Sequence, residues 1–151
     1  MPGYGILPAE EGAGLLPWRF VEESFVAARN YWVSTAGPEG QPHAAPDWGL
    51  WHAGAFYFSS GAASRKGRNL RANPEIVVHL ESGDEAVILE GRVGVVEDAE
   101  LGKQLDALYQ AKYGYPLMGD HPTFELRPRK VLAWREADFP GSATRWIFDE
   151  D

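Results

Sequence analysis

Apolar residues recur at three- and four-residue spacing from Trp18, with Val21, Phe25 and Ala28 following on one side of a 3.6-residue period. Pro17 suits a first helical position, where its missing N–H has no partner to lose. The pattern predicts an amphipathic helix with a bulky apolar face. Alternation then replaces helical spacing. Residues 31–35 read as a strand, Gly37-Pro38-Glu39-Gly40 as a turn, and residues 42–52 as a second strand paired with the first. Pro42 and Pro46 cannot donate to a ladder, so this strand is expected at an edge or bent. His52-Ala53-Gly54 turns the chain into an aromatic third strand, residues 55–60. A short helix opening at Ser64 follows. It stops at Asn73-Pro74, because the residue before proline avoids the helical region.

Residues 75–81 and 85–96 are two further strands joined by the turn Ser82-Gly83-Asp84. Gly91 and Gly94 inside the longer one predict a bulge or strong coiling. Residues 98–113 are helical, with Leu101, Leu105, Leu108 and Tyr109 as one stripe, and Gly114-Tyr115-Pro116 ends them. Residues 123–126 and 130–135 read as strand pieces broken by Pro128, and the tail carries Ala143-Thr144-Arg145-Trp146-Ile147-Phe148. Residues 1–15, rich in Gly and Pro, are expected to be an arm with little structure, and residues 16–151 a single domain. Hairpins and meanders without βαβ alternation imply a mostly antiparallel sheet. About six strands with internal glycines can close into a small barrel.

Composition narrows the function classes. The net charge is −8 and the pI near 5.0, which argues against nucleic acid as a partner, since its backbone rewards positive charge. There is no cysteine, so disulfides, thiolate chemistry and cysteine metal sites are excluded. No leader pattern and no apolar run of the roughly 20 residues needed to span a bilayer is found. The expectation is a cytoplasmic protein without a membrane partner. His43, His52, His79 and His121 lack the spacing of a metal site, and no nucleophile elbow or phosphate loop occurs.

One stretch runs against the overall charge. Ser64-Arg65-Lys66-Gly67-Arg68-Asn69-Leu70-Arg71-Ala72-Asn73-Pro74 holds four of the chain's fourteen basic residues, and no Asp or Glu lies between Asp47 and Glu75. Ser64 is an N-cap candidate. A helix start with Arg65 and Lys66 in its first turn suits a phosphate, through free N–H groups, the helix dipole and charge-assisted hydrogen bonds. A solvated basic helix linking two strands is the other reading, and the stretch alone leaves both open.

The order of elements adds to it. An aromatic strand precedes Ser64-Arg65-Lys66, Asn69-Leu70 and Asn73-Pro74 follow, and then come a Gly-containing long strand, Tyr109-x-x-Lys112-Tyr113 and a C-terminal Arg145-Trp146. From about residue 18 to 148 this resembles the pyridoxamine 5′-phosphate oxidase-like superfamily of FMN-binding split β-barrels, closest to the branch that holds the deazaflavin (coenzyme F-420) reductases. The resemblance implies a mostly β fold with flanking helices, an antiparallel split barrel that forms a homodimer with a cofactor cleft at each interface. It implies FMN, or alternatively the deazaflavin, with Arg65 and Lys66 on its phosphate, and Ser64 and Asn69 beside them. Tyr57, Phe58, Ser59 and Ser60 would run along the ring, Trp48 could stack on it, and Trp134, Arg145 and Trp146 would reach the partner's cleft. The implied activity is hydride transfer with a small substrate; a non-catalytic carrier of flavin, haem or another planar anion is the alternative. Three departures bear on the reaction. The basic pair of the oxidases' second strand is replaced by Asp47-Trp48-Gly49-Leu50-Trp51, their Gln after the hairpin by Ala86, and their substrate-binding His and Arg pattern is not evident near Arg145. Pyridoxamine phosphate oxidation itself is therefore not implied.

Overall fold

The computed structural model describes residues 6–11, 15–117 and 119–148; the rest of the expected N-terminal arm and the last three residues of the tail lie outside it. In chain order the elements are β1 (Leu7–Pro8), α1 (Trp18–Ala27), β2 (Tyr31–Ala36), β3 (Pro42–Asp47), β4 (Leu50–His52), β5 (Ala55–Ser59), α2 (Arg65–Ala72), β6 (Glu75–His79), β7 (Glu85–Val95), α3 (Ala99–Tyr113), β8 (Thr123–Arg135), a 3-10 turn (Glu136–Asp138), α4 (Phe139–Ser142) and β9 (Thr144–Ile147). Among the described residues nine strands form one sheet in the order β1-β9-β8-β7-β6-β2-β3, with β4 and β5 branching from β8. All pairings are antiparallel except β1 with β9. The sheet is not closed, and no described helix is long and apolar enough to cross a membrane.

Three expectations change. Residues 42–52 are two strands, because the chain turns away at Trp48-Gly49; a methyl at Gly49 would lie 2.3 Å from the Phe56 ring. Pro128 does not break β8. The register shifts there, Glu90 facing Lys130 and Gly91 facing Pro128, so Arg129 is an extra residue and the missing proline N–H falls at a bulge. In the arm, Leu7–Pro8 pair with Thr144 and Arg145, and Ile6 is buried. As expected, β3 with its two prolines is an edge of the sheet.

That bulge organises the molecule. β7 runs along one edge of β8 for nearly its whole length. The other edge serves two strands in turn: β5 pairs with residues 123–126 and β9 with residues 130–133. One strand thus belongs to both halves of a split sheet. The core between them is aromatic. Phe25, Tyr31, Phe56, Phe58 and Phe124 follow one another at centroid separations of 5.4, 4.7, 5.8 and 5.3 Å. In α1, Val21 and Phe25 are buried, as their spacing demands; in α3, Leu105 is buried whereas Leu108 of the expected stripe is exposed. On the outer face, Ser34, Val77, Glu90, Lys130 and Ile147 stand in register across five strands, lining a trough of about 560 Å³.

The bulge makes a distinction between the two glycines of β7. A methyl at Gly91 would meet Leu126 at 2.8 Å and the Arg127 carbonyl at 3.2 Å, whereas one at Gly94 meets nothing within 4 Å. Gly91→Ala is expected to cost about 1–3 kcal/mol of stability through overpacking, and Gly94→Ala to stay within about 0.5 kcal/mol of the parent. Urea unfolding of the two variants measures this.

Candidate functional site

Ser64 initiates α2 as its residue type and extended backbone suggest: its Oγ accepts from Gly67 N at 3.0 Å and donates to the Gly61 carbonyl at 2.7 Å, with Ser60 Oγ 3.1 Å away. The first turn sits so close to the loop from β5 that a methyl at Gly67 would lie 2.2 Å from the Gly61 oxygen. Strand exit and helix start are therefore one rigid piece. The amides of Arg65 and Lys66, in the first turn, stand at its open end.

The underside of α2 is polar. Buried Asn69 donates through Nδ2 to Thr35 Oγ1 of β2 at 3.0 Å. Lys66 Nζ donates to Asp47 Oδ2 at 2.5 Å, and the other carboxylate oxygen of Asp47 accepts from Trp48 N at 2.9 Å. Burial pushes the Asp47 carboxyl up from its ordinary value; Lys66 and the Trp48 N–H offset part of that. Lys66 thus holds the helix on β3, and its charge is met inside the protein. Arg65 and Arg68 behave differently. Both are exposed, and neither has a carboxylate within ion-pair distance among the described residues. With Asn69 they line a cavity of about 320 Å³ whose far wall is Gly37, Pro38 and Gln41 of the β2–β3 turn. Arg71 lines a different cavity, with Val93, Gly94 and Phe124.

The other residues singled out in the sequence are dispersed. Tyr57 and Phe58 are buried: the Tyr57 hydroxyl donates to Glu125 at 2.7 Å, and Phe58 stacks on Phe124. Burial, then Glu125, pushes the Tyr57 hydroxyl up to about 12. Ser59 Oγ meets Thr123 Oγ1 at 2.9 Å. β4 ends opposite Tyr57, so Phe58 and Ser59 are paired by β8 alone. Trp134 packs edge-on to Phe139, and Trp146 edge-on to Trp18 in the main core. Arg145 of β9 pairs with Leu132, and its Nε is buried with no hydrogen-bond partner among the described residues.

Trp48 belongs to a second constellation. It stacks on Tyr113 at 4.5 Å and 6°, with the Arg29 guanidinium 5.2 Å from its ring centre. The Tyr113 hydroxyl accepts from Gly49 N at 3.0 Å and donates to the Arg29 carbonyl at 2.8 Å. Lys112 Nζ donates to the Tyr31 hydroxyl at 2.7 Å and the Gly49 carbonyl at 3.1 Å. This group clamps the end of α3 onto the β3–β4 corner and leaves Trp48 little freedom to face a ligand. Sequence reasoning missed Asp47 as the partner of Lys66, and Gln41 as the cavity wall. Asp47 had left one trace: it is the last acid before the carboxylate-free stretch.

Burial, then Arg29, pulls the Lys112 ammonium down from 10.5 to about 8. Between those values the unfolded chain holds the extra proton, so stability rises with pH across that window. Unfolded tyrosines begin to ionise near pH 10 while Tyr113, raised to about 12 chiefly by burial, does not, which reverses the slope there. The urea midpoint is therefore expected to climb between pH 8 and about 9.5 in the parent chain and to stay flat in Lys112→Met.

With this geometry in view, the family model described as pyridoxamine 5′-phosphate oxidase matches residues 21–135. A comparison with curated protein sequences gives no match. Among solved structures, a conserved hypothetical protein from Mycobacterium tuberculosis superposes with a TM-score of 0.71 at 24% identity, covering 84% of this chain and 90% of that one. The haem storage protein of Vibrio cholerae gives 0.61 at 19% identity, covering 72% and 87%. An F420 reductase gives 0.58 at 22% identity, covering 72% and 94%. At these identities the likeness establishes the fold, and with the match over residues 21–135 the chain belongs to the pyridoxamine 5′-phosphate oxidase family.

Proposed function

We propose that this protein is an oxidoreductase that binds a flavin-type cofactor, FMN or a deazaflavin, and works on a small substrate as a homodimer. The observation that carries the reading is the rigid unit of Ser60, Gly61, Ser64 and the first turn of α2, with Arg65 and Arg68 directed at one cavity. Its donor set fits a ribityl phosphate: cationic guanidinium groups and N–H groups at a helix start attract an anion and need no rearrangement to do so. The β5 edge beyond β4 fits the polar side of a ring, since the backbone at Phe58 and Ser59 has a strand on one side only.

When bound, such a cofactor supplies the hydride chemistry; the protein's part is to hold, orient and exclude water. Arg65 and the amides at the helix start hold the phosphate, with Arg68 beside them in the same cavity. Asn69, tied to Thr35, and Lys66, tied to Asp47, keep α2 seated so that these groups stay aimed. A second copy laid on the outer trough would cover the apolar Ile147 and Phe148 at its rim and shield the cleft from water. Among the described residues no group of His, Asp or Glu is placed to hold a metal, and the reading requires none. A cytoplasmic setting goes with it, because a chain without cysteine gains nothing from an oxidising compartment.

A carrier role is the second reading, supported by the likeness to a haem storage protein. Reduction of the bound cofactor by a nicotinamide donor favours the enzyme; a haem absorption band after reconstitution favours the carrier. For the cofactor cleft itself, fluorescence titration with FMN and the deazaflavin should show saturable binding that Arg65→Ala/Arg68→Ala weakens at least tenfold, about 1.4 kcal/mol. Light scattering should give twice the 16.7 kDa chain mass. Binding unchanged in the double variant would remove the phosphate assignment.

A further inference from the structure

The charge arrangement around α2 distinguishes between cofactors that share a flavin-type ring, provided such a ring is what the cleft holds. Four cations lie on or at the start of this helix, but they do not act together. Arg71 faces away from the Arg65–Arg68 cavity. Lys66 is taken by Asp47 at 2.5 Å, with side-chain exposures of only 11% and 21%. Pulling Lys66 onto an external anion would strand a largely buried carboxylate, which is strongly unfavourable. Asp47 also accepts from Trp48 N, so it cannot swing away without losing that bond. What faces the cavity is Arg65, Arg68 and the neutral Asn69 and Gln41.

A phosphate monoester, as in FMN, brings a charge of about −1.5 to −2 at neutral pH. A phosphate esterified on both sides brings one. We infer that Asp47 withdraws Lys66 from the anion and thereby makes this cleft selective for a cofactor whose ribityl phosphate is a diester. One guanidinium and a helix start then meet the single charge. Arg68, one turn further along and exposed, is left for acidic groups on whatever extends beyond the phosphate. Coenzyme F-420 carries such a diester, and FAD is a diphosphate diester whose ribityl-side phosphorus, closed by an anhydride bond, likewise bears one charge; an acidic peptide tail belongs to the first and a second phosphorus to the other. Asp47 acts here through Lys66 and is a positioning residue.

The test is a fluorescence and calorimetric titration of the whole chain with riboflavin, FMN, FAD and the deazaflavin. The parent chain should bind at least one diester ten times more tightly than FMN. Asp47→Asn should free Lys66 and tighten FMN about tenfold, as expected for one added charge near a dianion, while changing the diesters less than threefold. Asp47→Ser is the second route to the same release, should the amide fail to fold as judged by circular dichroism. Asp47→Asn/Lys66→Met, which removes Lys66 without stranding a buried carboxylate, should lose the gain. Which diester wins identifies the extension that Arg68 meets. The inference is overturned if FMN is the tightest ligand of the parent, if the folded Asp47 variants bind FMN no better, or if Asp47→Asn/Lys66→Met keeps the gain. In those three cases the flavin reading still stands. Failure of all four ligands to bind any variant removes both.

Discussion

One edge of β8 has to serve two strands, and the architecture follows from how it does so. β5 takes residues 123–126 and β9 takes residues 130–133. Between them Pro128 can donate no hydrogen bond, and Arg129 is the added residue that lets the strand change direction. Gly91 opposite has no side chain because Leu126 and the Arg127 carbonyl occupy its place. A flat, regular β8 would pair with one strand along its length and leave the other with unmet backbone groups. The aromatic chain from Phe25 to Phe124 fills the space that this coiling encloses.

The seat of α2 is built differently. α2 meets β2 and β3 through Asn69–Thr35 and Lys66–Asp47 beside its one buried leucine, Leu70. Polar seats of this kind are directional, so they fix the helix's rotation more tightly than packing of apolar groups does. Rotation is what matters for binding an anion: it decides that Arg65 and Arg68 face the β2–β3 turn while Arg71 faces away. Of the two first-turn cations that the resemblance set on a phosphate, Arg65 lines the cavity and Lys66 is held by Asp47.

Much of the fold was legible in the chain. The 3.6-residue period of Trp18, Val21 and Phe25, the aromatic run before Ser64, the Ser82-Gly83-Asp84 turn and the prolines of β3 each report a local constraint, and local constraints are written in adjacent residues. Pro128 was misleading because its meaning depends on whether a bulge accommodates it. Leu108 was misleading because periodicity says which side of a helix is apolar, not how much of it is covered. Leu7–Pro8 carry no strand signal of their own and are ordered by β9.

By itself the sequence determined the element order, the antiparallel class, the helix start at Ser64 and the local excess of positive charge, since each depends on neighbours along the chain. Only the tertiary structure decided which of those charges is available. Asp47 and Lys66 are nineteen residues apart, and their pairing at 2.5 Å requires β3 and α2 to be brought together by the sheet. The same holds for Trp48, which looks free to stack on a ligand until α3 folds back and places Tyr113 against it. A side chain's type can be read from the sequence; whether another group already satisfies it depends on contacts between distant segments.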